Sequence, residues 1–212
     1  VEYQLEGVNQ VTARPEIGLT FALSLRSILR QDPNIIMIGE IRDYETVDIA
    51  IKSALTGHLV LSTLHTTTAA GAITRLINMK VEPYLINASV VCVLSQRLVR
   101  KICLHCKENY VINKEIAEDL KLDLAGITKP EFSRGKGCPR CLNTGYSGRV
   151  GIAEIILLSG KVRELVLSRA EEHMIKQEAR KLGMKTLREN GLALALKGIT
   201  SLEEVLRVTV PD

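Results

Sequence analysis

The apolar positions of the chain change period several times. Over "IGLTFALSLRSILRQDP" they fall at Leu19, Leu23, Ile28 and Leu29, a spacing that suits a helix ending near Asp32 and Pro33. Ile35 to Ile38 then run without interruption, which predicts a buried strand that delivers Gly39, Glu40, Ile41, Arg42 and Asp43 at its carboxyl end. "DYETVDIAIKSALTG" returns to helical spacing at Val47, Ile49, Ala50, Ala54 and Leu55, with Asp43 as the cap and Gly57 as the stop. A short apolar strand in "HLVLSTLHT" follows, then a Thr-rich turn from Thr66 to Thr68 and a helix from Ala69 to about Met79. Strand, helix, strand, helix predicts an α/β fold in which a parallel sheet carries helices on its faces.

Beyond this point the pattern loosens. Pro83 opens a further apolar segment to Leu94, and "SQRLVRKI" leads into a first cysteine pair. From Cys103 to Cys141 the composition shifts to Lys, Glu, Gly and Pro, with a helix expected near Lys114 to Leu122, so this stretch reads as an excursion from the main domain. "GYSGRVGIAEIILLSG" is strand-like again, and helices are expected at about 160–168, 171–182, 186–197 and 201–208. The last has Ser201 as its cap and Glu204 at the capping-box position. The expected organisation is a core over 1–102, an insert over 103–141, a return strand of the core over 142–158 and a small C-terminal helical region over 159–212.

Composition narrows the function classes. The chain has 212 residues, 46% of them apolar, enough for one large domain, or a medium domain with an appendage, around a real core. Aromatics make up only 3%, with no Trp and two Phe, which leaves little material for a nucleic-acid surface of stacked rings. The net charge of +4 comes from scattered Lys and Arg, a solvated mixed surface rather than a basic patch, so no nucleic-acid partner is expected. No apolar run reaches the roughly 18 residues that span a bilayer, and the N-terminus lacks a secretory signal, so the chain is expected to be cytoplasmic.

Five cysteines change the picture. Cys103-x-x-Cys106 and Cys138-x-x-Cys141 are two chelating pairs, each able to place two thiolates at about 2.3 Å from one zinc ion, and four thiolates complete a structural site with no open position. Free or redox thiols are the alternative. Gly135, Gly137, Pro139 and Gly145 supply turn backbone around the second pair. His105, between ligands, is expected to face solvent, and Cys92 is expected to be a small core residue.

A carboxylate at the end of a buried parallel strand is where nucleotide enzymes place the group that orients an attacking water or holds magnesium through water. Glu40 is that candidate, and its alternative is a strand-terminal Glu paired with Arg42. The second strand ends in Ser62, Thr63, His65 and Thr66, a polar cluster at the same sheet edge if the strands run parallel, where a γ-phosphate would be sensed. His58, at the entry end of that strand, reads as structural. The phosphate loop that should accompany such a carboxylate is not found: Gly135-Lys136-Gly137, Gly160-Lys161-Val162 and Lys197-Gly198 all lack its pattern.

Taken together, "VEYQLEG", "LTFALSLRSILRQDPNIIMIGEIRDYETVDIA", "TGHLVLSTLHTTTAAGAITRL", "SQRLVRKICLHC" and "CPRCLNTGYSGRVGIAEI" resemble the C-terminal motor domain of the secretion ATPases that drive type II secretion and type IV pilus assembly. The resemblance covers essentially the whole chain. It implies a partial RecA-like P-loop NTPase sheet, a homo-hexamer peripheral to the inner membrane, and ATP and magnesium as cofactors. It also implies an inner-membrane platform protein as the partner through which pilin or pseudopilin subunits are moved. By the same resemblance, Glu40 matches the water-positioning glutamate of an atypical Walker B strand and His65 the histidine-box residue near the γ-phosphate. Val1 and Glu2 match the tail of the aspartate box, and Glu2, Arg42 and Thr63 are expected to support the nucleotide site. Arg26 and Arg30 lie in the arginine-containing stretch before the Walker B strand.

In that family the phosphate loop precedes the aspartate box, so a chain beginning at "VEYQ" is expected to have been cut just after it and to be inactive alone. The four-cysteine insert resembles the assembly and secretion members rather than the retraction motors. Two other readings remain open on the residues: a zinc-stabilised partner-docking module without nucleotide chemistry, and a RecA-like DNA-dependent ATPase.

Overall fold

Side chains at the helix starts fix much of the local structure of this protein, described here from a computed structural model that places residues 3–112 and 131–210. The helix expected near Lys114 to Leu122 lies outside these described residues. The chain groups into two units, Val1–Val93 with Leu157–Glu178, and Leu94–Ile156 with Ala179–Asp212. No described helix is long and apolar enough to cross a membrane.

In the first unit, the Thr20 hydroxyl accepts from the Leu23 amide and starts α1, Phe21–Leu29. β1, Ile35–Ile38, is followed by α2, Tyr44–Leu55, where Asp43 accepts from the Thr46 amide at 2.8 Å as the sequence predicts. β2, Leu59–Ser62, runs parallel to β1 with Ile35 opposite Leu59 and Ile38 opposite Ser62. Thr68 caps α3, Ala69–Asn78, and Pro83 opens α4, Pro83–Ser89. After an excursion through the other unit the chain returns as α5, Gly160–Leu167, and α6, Glu172–Lys181. Asn87 donates to the carbonyl of Arg163 at 2.8 Å, and Thr68 donates to Glu172 at 2.5 Å, tying these late helices to the early ones.

The expectation of a buried β1 needs correction. Ile36 and Ile38 are 3% and 4% exposed, but Ile35 and Met37 are 62% and 74% exposed, and Leu59 and Leu61 of β2 are exposed as well. An uninterrupted apolar run does not report which faces are covered, and here the described helices cover one face of the pair only.

In the second unit, β3, Cys92–Ile102, pairs with β6, Tyr146–Leu157, while β4, Lys107–Val111, and β5, Glu131–Gly135, form an antiparallel hairpin. Cys92, expected in a core, is exposed at the first position of β3, where strand alternation turns it outward. Two helices follow, α7, Leu187–Leu196, and α8, Leu202–Val208. The hairpin does not stand free: Phe132 of β5 is fully buried with Ile112, Leu192, Ala195, Leu202 and Val205. α7 begins with a capping box that the sequence reading passed over, Thr186 accepting from the Glu189 amide and Glu189 from the Thr186 amide.

At α8 the expected box is only half present. Ser201 accepts from the Glu204 amide, but the Glu204 carboxylate is turned away to other partners. It accepts from the Arg100 amide at 3.0 Å, from the Arg100 guanidinium at 2.7 Å and from Arg207 at 2.8 Å. Burial pushes this carboxyl up, yet the hydrogen bonds from Arg207 and Arg100 outweigh it and hold the group down at about 2. A depressed folded value means stability that is fully present above the ordinary value of 4.5 and fades as pH falls toward 2. Glu204→Gln is therefore expected to lower unfolding stability by about 3 kcal/mol at pH 7. In urea titrations its difference from the unsubstituted chain should shrink steadily below pH 4.5, and a gap independent of pH would contradict this account.

Candidate functional site

Two clusters of chemistry-bearing side chains stand out, one in each unit. The first follows from strand pairing. Because β1 and β2 run parallel with Ile38 opposite Ser62, the segments that leave them, Gly39 to Asp43 and Thr63 to Thr66, emerge at one sheet edge. The Ile41 amide donates to the carbonyl of Thr63 at 3.0 Å, and the Thr63 hydroxyl donates to the carbonyl of Gly39 at 2.6 Å. These two bonds extend the register past the last strand pair and set Glu40 beside His65.

The Glu40 carboxylate meets His65 Nε2 at 2.8 Å with one oxygen and the Arg42 guanidinium at 2.5 Å with the other. Its side chain is 23% exposed, whereas those of His65 and Arg42 are 83% and 74% exposed, so the anion lies beneath a solvent-facing rim of donors. The Arg42 hydrogen bond first, and the His65 hydrogen bond second, hold the carboxyl below its ordinary value. An ionised carboxylate has about four lone-pair sites, so these two contacts leave capacity to accept from a water molecule.

Glu40, Arg42, Thr63 and His65 are thus brought together. Glu2 lies outside the described residues. Arg26 pairs with Glu45 at 2.8 Å, and Arg30 is exposed at the C-terminal end of α1. His58 Nδ1 lies 3.0 Å from the Ser53 carbonyl and 3.2 Å from Thr56 Oγ1, closing the turn between α2 and β2.

The second cluster joins the four paired cysteines. Cys103, Cys106, Cys138 and Cys141 are free thiols whose sulfurs all lie within 4.8 Å of one another. The sulfur separations are 3.9 Å for Cys103 to Cys138, 3.9 Å for Cys106 to Cys141 and 3.7 Å for Cys138 to Cys141. A tetrahedron of sulfurs about 2.3 Å from a central zinc has an edge of about 3.8 Å, which these three separations match.

The surrounding backbone is shaped to the same end. The Cys138 and Gly145 amides point at Cys141 Sγ, at 3.2 and 3.3 Å. Burial opposes ionisation of Cys141, but those amides outweigh it and bring the thiol down to about 6. Burial pushes Cys106 up to about 12. Gly145 has a φ of 77°, and it passes so close to Gly135 that a Cβ on either would meet the other's carbonyl. Cys92 takes no part.

Arg140 was missed in the sequence. Its Nη1 lies 3.0 Å from His105 Nε2, and the signal was positional, since both occupy the third place of their Cys-x-x-Cys loops.

Comparison with known proteins adds a lineage to this geometry. Residues 1–207 match the family described as type II/IV secretion system protein. The chain is 52% identical over 210 residues to the type IV pilus assembly ATPase PilB of Thermus thermophilus, covering 99% of this chain and 24% of that protein. It is also 52% identical over 209 residues to type II secretion system protein E of Xanthomonas campestris pv. campestris, covering 99% of this chain and 37% of that one. The chain therefore spans well under half the length of these relatives. Among solved structures, the pilus retraction motor PilT with bound ADP superposes with a TM-score of 0.61 at 27% identity, over 92% of this chain and 45% of that one.

Elemental analysis of the purified chain is expected to return about one tightly held divalent metal ion per tetrathiolate cage. Cys141→Ser should bring the content well below half of that. Metal near zero in the unsubstituted chain would overturn the cage as a binding site.

Proposed function

The chain belongs to the family of type II/IV secretion system proteins, and from that membership we propose that it forms part of a hexameric ATPase. That ATPase powers pilin or pseudopilin assembly in type IV pilus biogenesis or type II secretion. In this reading it works in the cytoplasm, peripheral to the inner membrane, against a membrane platform protein, and its core is RecA-like. The metal of the four-cysteine cage is zinc, in a structural role, since four thiolates leave no position open for a reactant.

The observation that carries the reading is the Glu40 cluster: an ionised carboxylate at the carboxyl ends of parallel strands, 2.8 Å from an exposed histidine. Magnesium nucleotide supplies, when bound, the γ-phosphoryl group that water attacks. Glu40 orients that water through its remaining lone pairs. His65 holds the carboxylate from the solvent side, where it would face the phosphate of a bound nucleotide. Arg42 keeps the carboxyl ionised, and Thr63 fixes the loop that carries it by its bond to Gly39. Support also comes from the relatives named as ATPases.

In the assembled protein, Glu40→Gln is expected to lower the hydrolysis rate by about 10²-fold or more while ATP affinity changes little. Hydrolysis that survives the substitution would rule out this role. Arg42→Ala tests the electrostatics separately. Because Arg42 holds the Glu40 carboxyl down, removing it lets that carboxyl protonate at higher pH, so the acid limb of the pH–rate profile should move upward. A profile that moves downward or stays in place would mean that Glu40 does not govern that limb.

A further inference from the structure

Four cationic side chains, Lys101, Lys107, Arg140 and Lys197, line a cavity of about 520 Å³ within the second unit, together with His105 and Ser147. Among the described residues no carboxylate lines it. This is unlike the neighbouring cations of the same unit: Arg100 and Arg207 are paired with Glu204, and Arg134 and Lys136 with Glu108. Among the described residues none of the four cavity cations has an acidic partner.

The four residues are exposed, and two of them lie over glycines that leave them room. Lys107 opens β4, and its ammonium rests directly over Gly198, whose φ is 64°, in space that a Cβ would occupy. Lys101, next to the end of β3, lays its stem over Gly148, where a Cβ would come 3.1 Å from Cε. Arg140 is steadied against His105 at 3.0 Å. Lys197 closes α7 and precedes Gly198. Like charges gathered around one cavity repel one another, the more so where its walls exclude water. A multiply charged anion turns that repulsion into attraction.

We propose that this cavity is a binding site for a small soluble molecule bearing a di- or triphosphate group. Phosphate is favoured because the charged lining offers only donors: a planar guanidinium suited to two oxygens at once and three ammonium groups that act as point charges. The volume is several times that of a single phosphate and falls within the range of about 300–1,000 Å³ typical of small-molecule sites. The site shares no residue with the Glu40 cluster, so it stands or falls independently of the hydrolytic reading.

The test is calorimetric titration of the purified, metal-loaded protein with sodium tripolyphosphate. The expected result is saturable binding, weakened about tenfold or more in the double variant Lys107→Gln with Lys197→Gln. Lys185→Gln, which removes an exposed cation outside the cavity, should change affinity by less than about twofold. Lys101→Gln alone gives an intermediate loss and serves if the double variant folds poorly. Absence of saturable binding, or equal weakening by Lys185→Gln, overturns the site. So does the double variant binding as well as the parent. Two further arms fix the source of the phosphate: binding to phosphatidylglycerol vesicles without binding to tripolyphosphate, or tighter binding of an oligoglutamate peptide, would each contradict a soluble oligophosphate ligand.

Discussion

Parallel pairing of β1 with β2 is the constraint on which the candidate nucleotide chemistry depends. Two parallel strands in register finish at the same edge, so residues 25 apart in sequence, Glu40 and His65, come within hydrogen-bond reach. The side-chain period of a strand is two, so a slip of one residue would turn Ile36 and Ile38 out of the core and send the following loop elsewhere. The bonds from Ile41 to Thr63 and from Thr63 to Gly39 resist that slip where the strands end and the loops begin. The core therefore sets the register, and the register sets the site.

The second unit faces a different problem, how to hold the β4–β5 pair in place and bury a charge. The four sulfurs draw together the start of β4 and the chain after β5, while Phe132 anchors the hairpin's middle to α7 and α8. Buried Glu204 carries the same logic further, because its two oxygens satisfy an amide of one strand and two guanidinium groups at once. A buried carboxylate is tolerable only when it is paired this completely. Both devices specify one arrangement of the unit: sulfurs that must converge on one centre, and a carboxylate that must find both arginines.

What was legible in the sequence was what is decided locally. Caps at Asp43, Thr68 and Ser201 act on amides three residues away, so the helix starts were readable, as were the two Cys-x-x-Cys pairs. That Glu40 would sit just past the carboxyl end of a strand was readable from the apolar run Ile35 to Ile38 before it. Apart from the local box of Thr186 and Glu189, what escaped was set by partners distant in the chain. Arg100 lies 104 residues from Glu204, so nothing near Ser201 says that the carboxylate will leave the capping box unfinished. Cys92 sits in an apolar run, but which side of a strand is covered depends on elements whose sequence says nothing about it. The same holds for Lys101, Lys107, Arg140 and Lys197, which look like scattered surface charge until the fold gathers them.

The way Glu40 is held also bears on how the proposed hydrolysis would work. Hydrogen bonds from Arg42 and His65 keep the carboxylate ionised, but a lowered value also makes it a weaker base. Full removal of a proton from water by such a group is unfavourable, whereas orienting the water needs only a fixed, charged acceptor with lone pairs to spare. A loose, metaphosphate-like transition state places little demand on the strength of the base, because bond formation to the nucleophile is slight. The electrostatics of Glu40 thus agree with a positioning role. The exposed His65 is then the adjustable element: loss of its bond to Glu40 would free an oxygen and raise the basicity of the carboxylate at the same time.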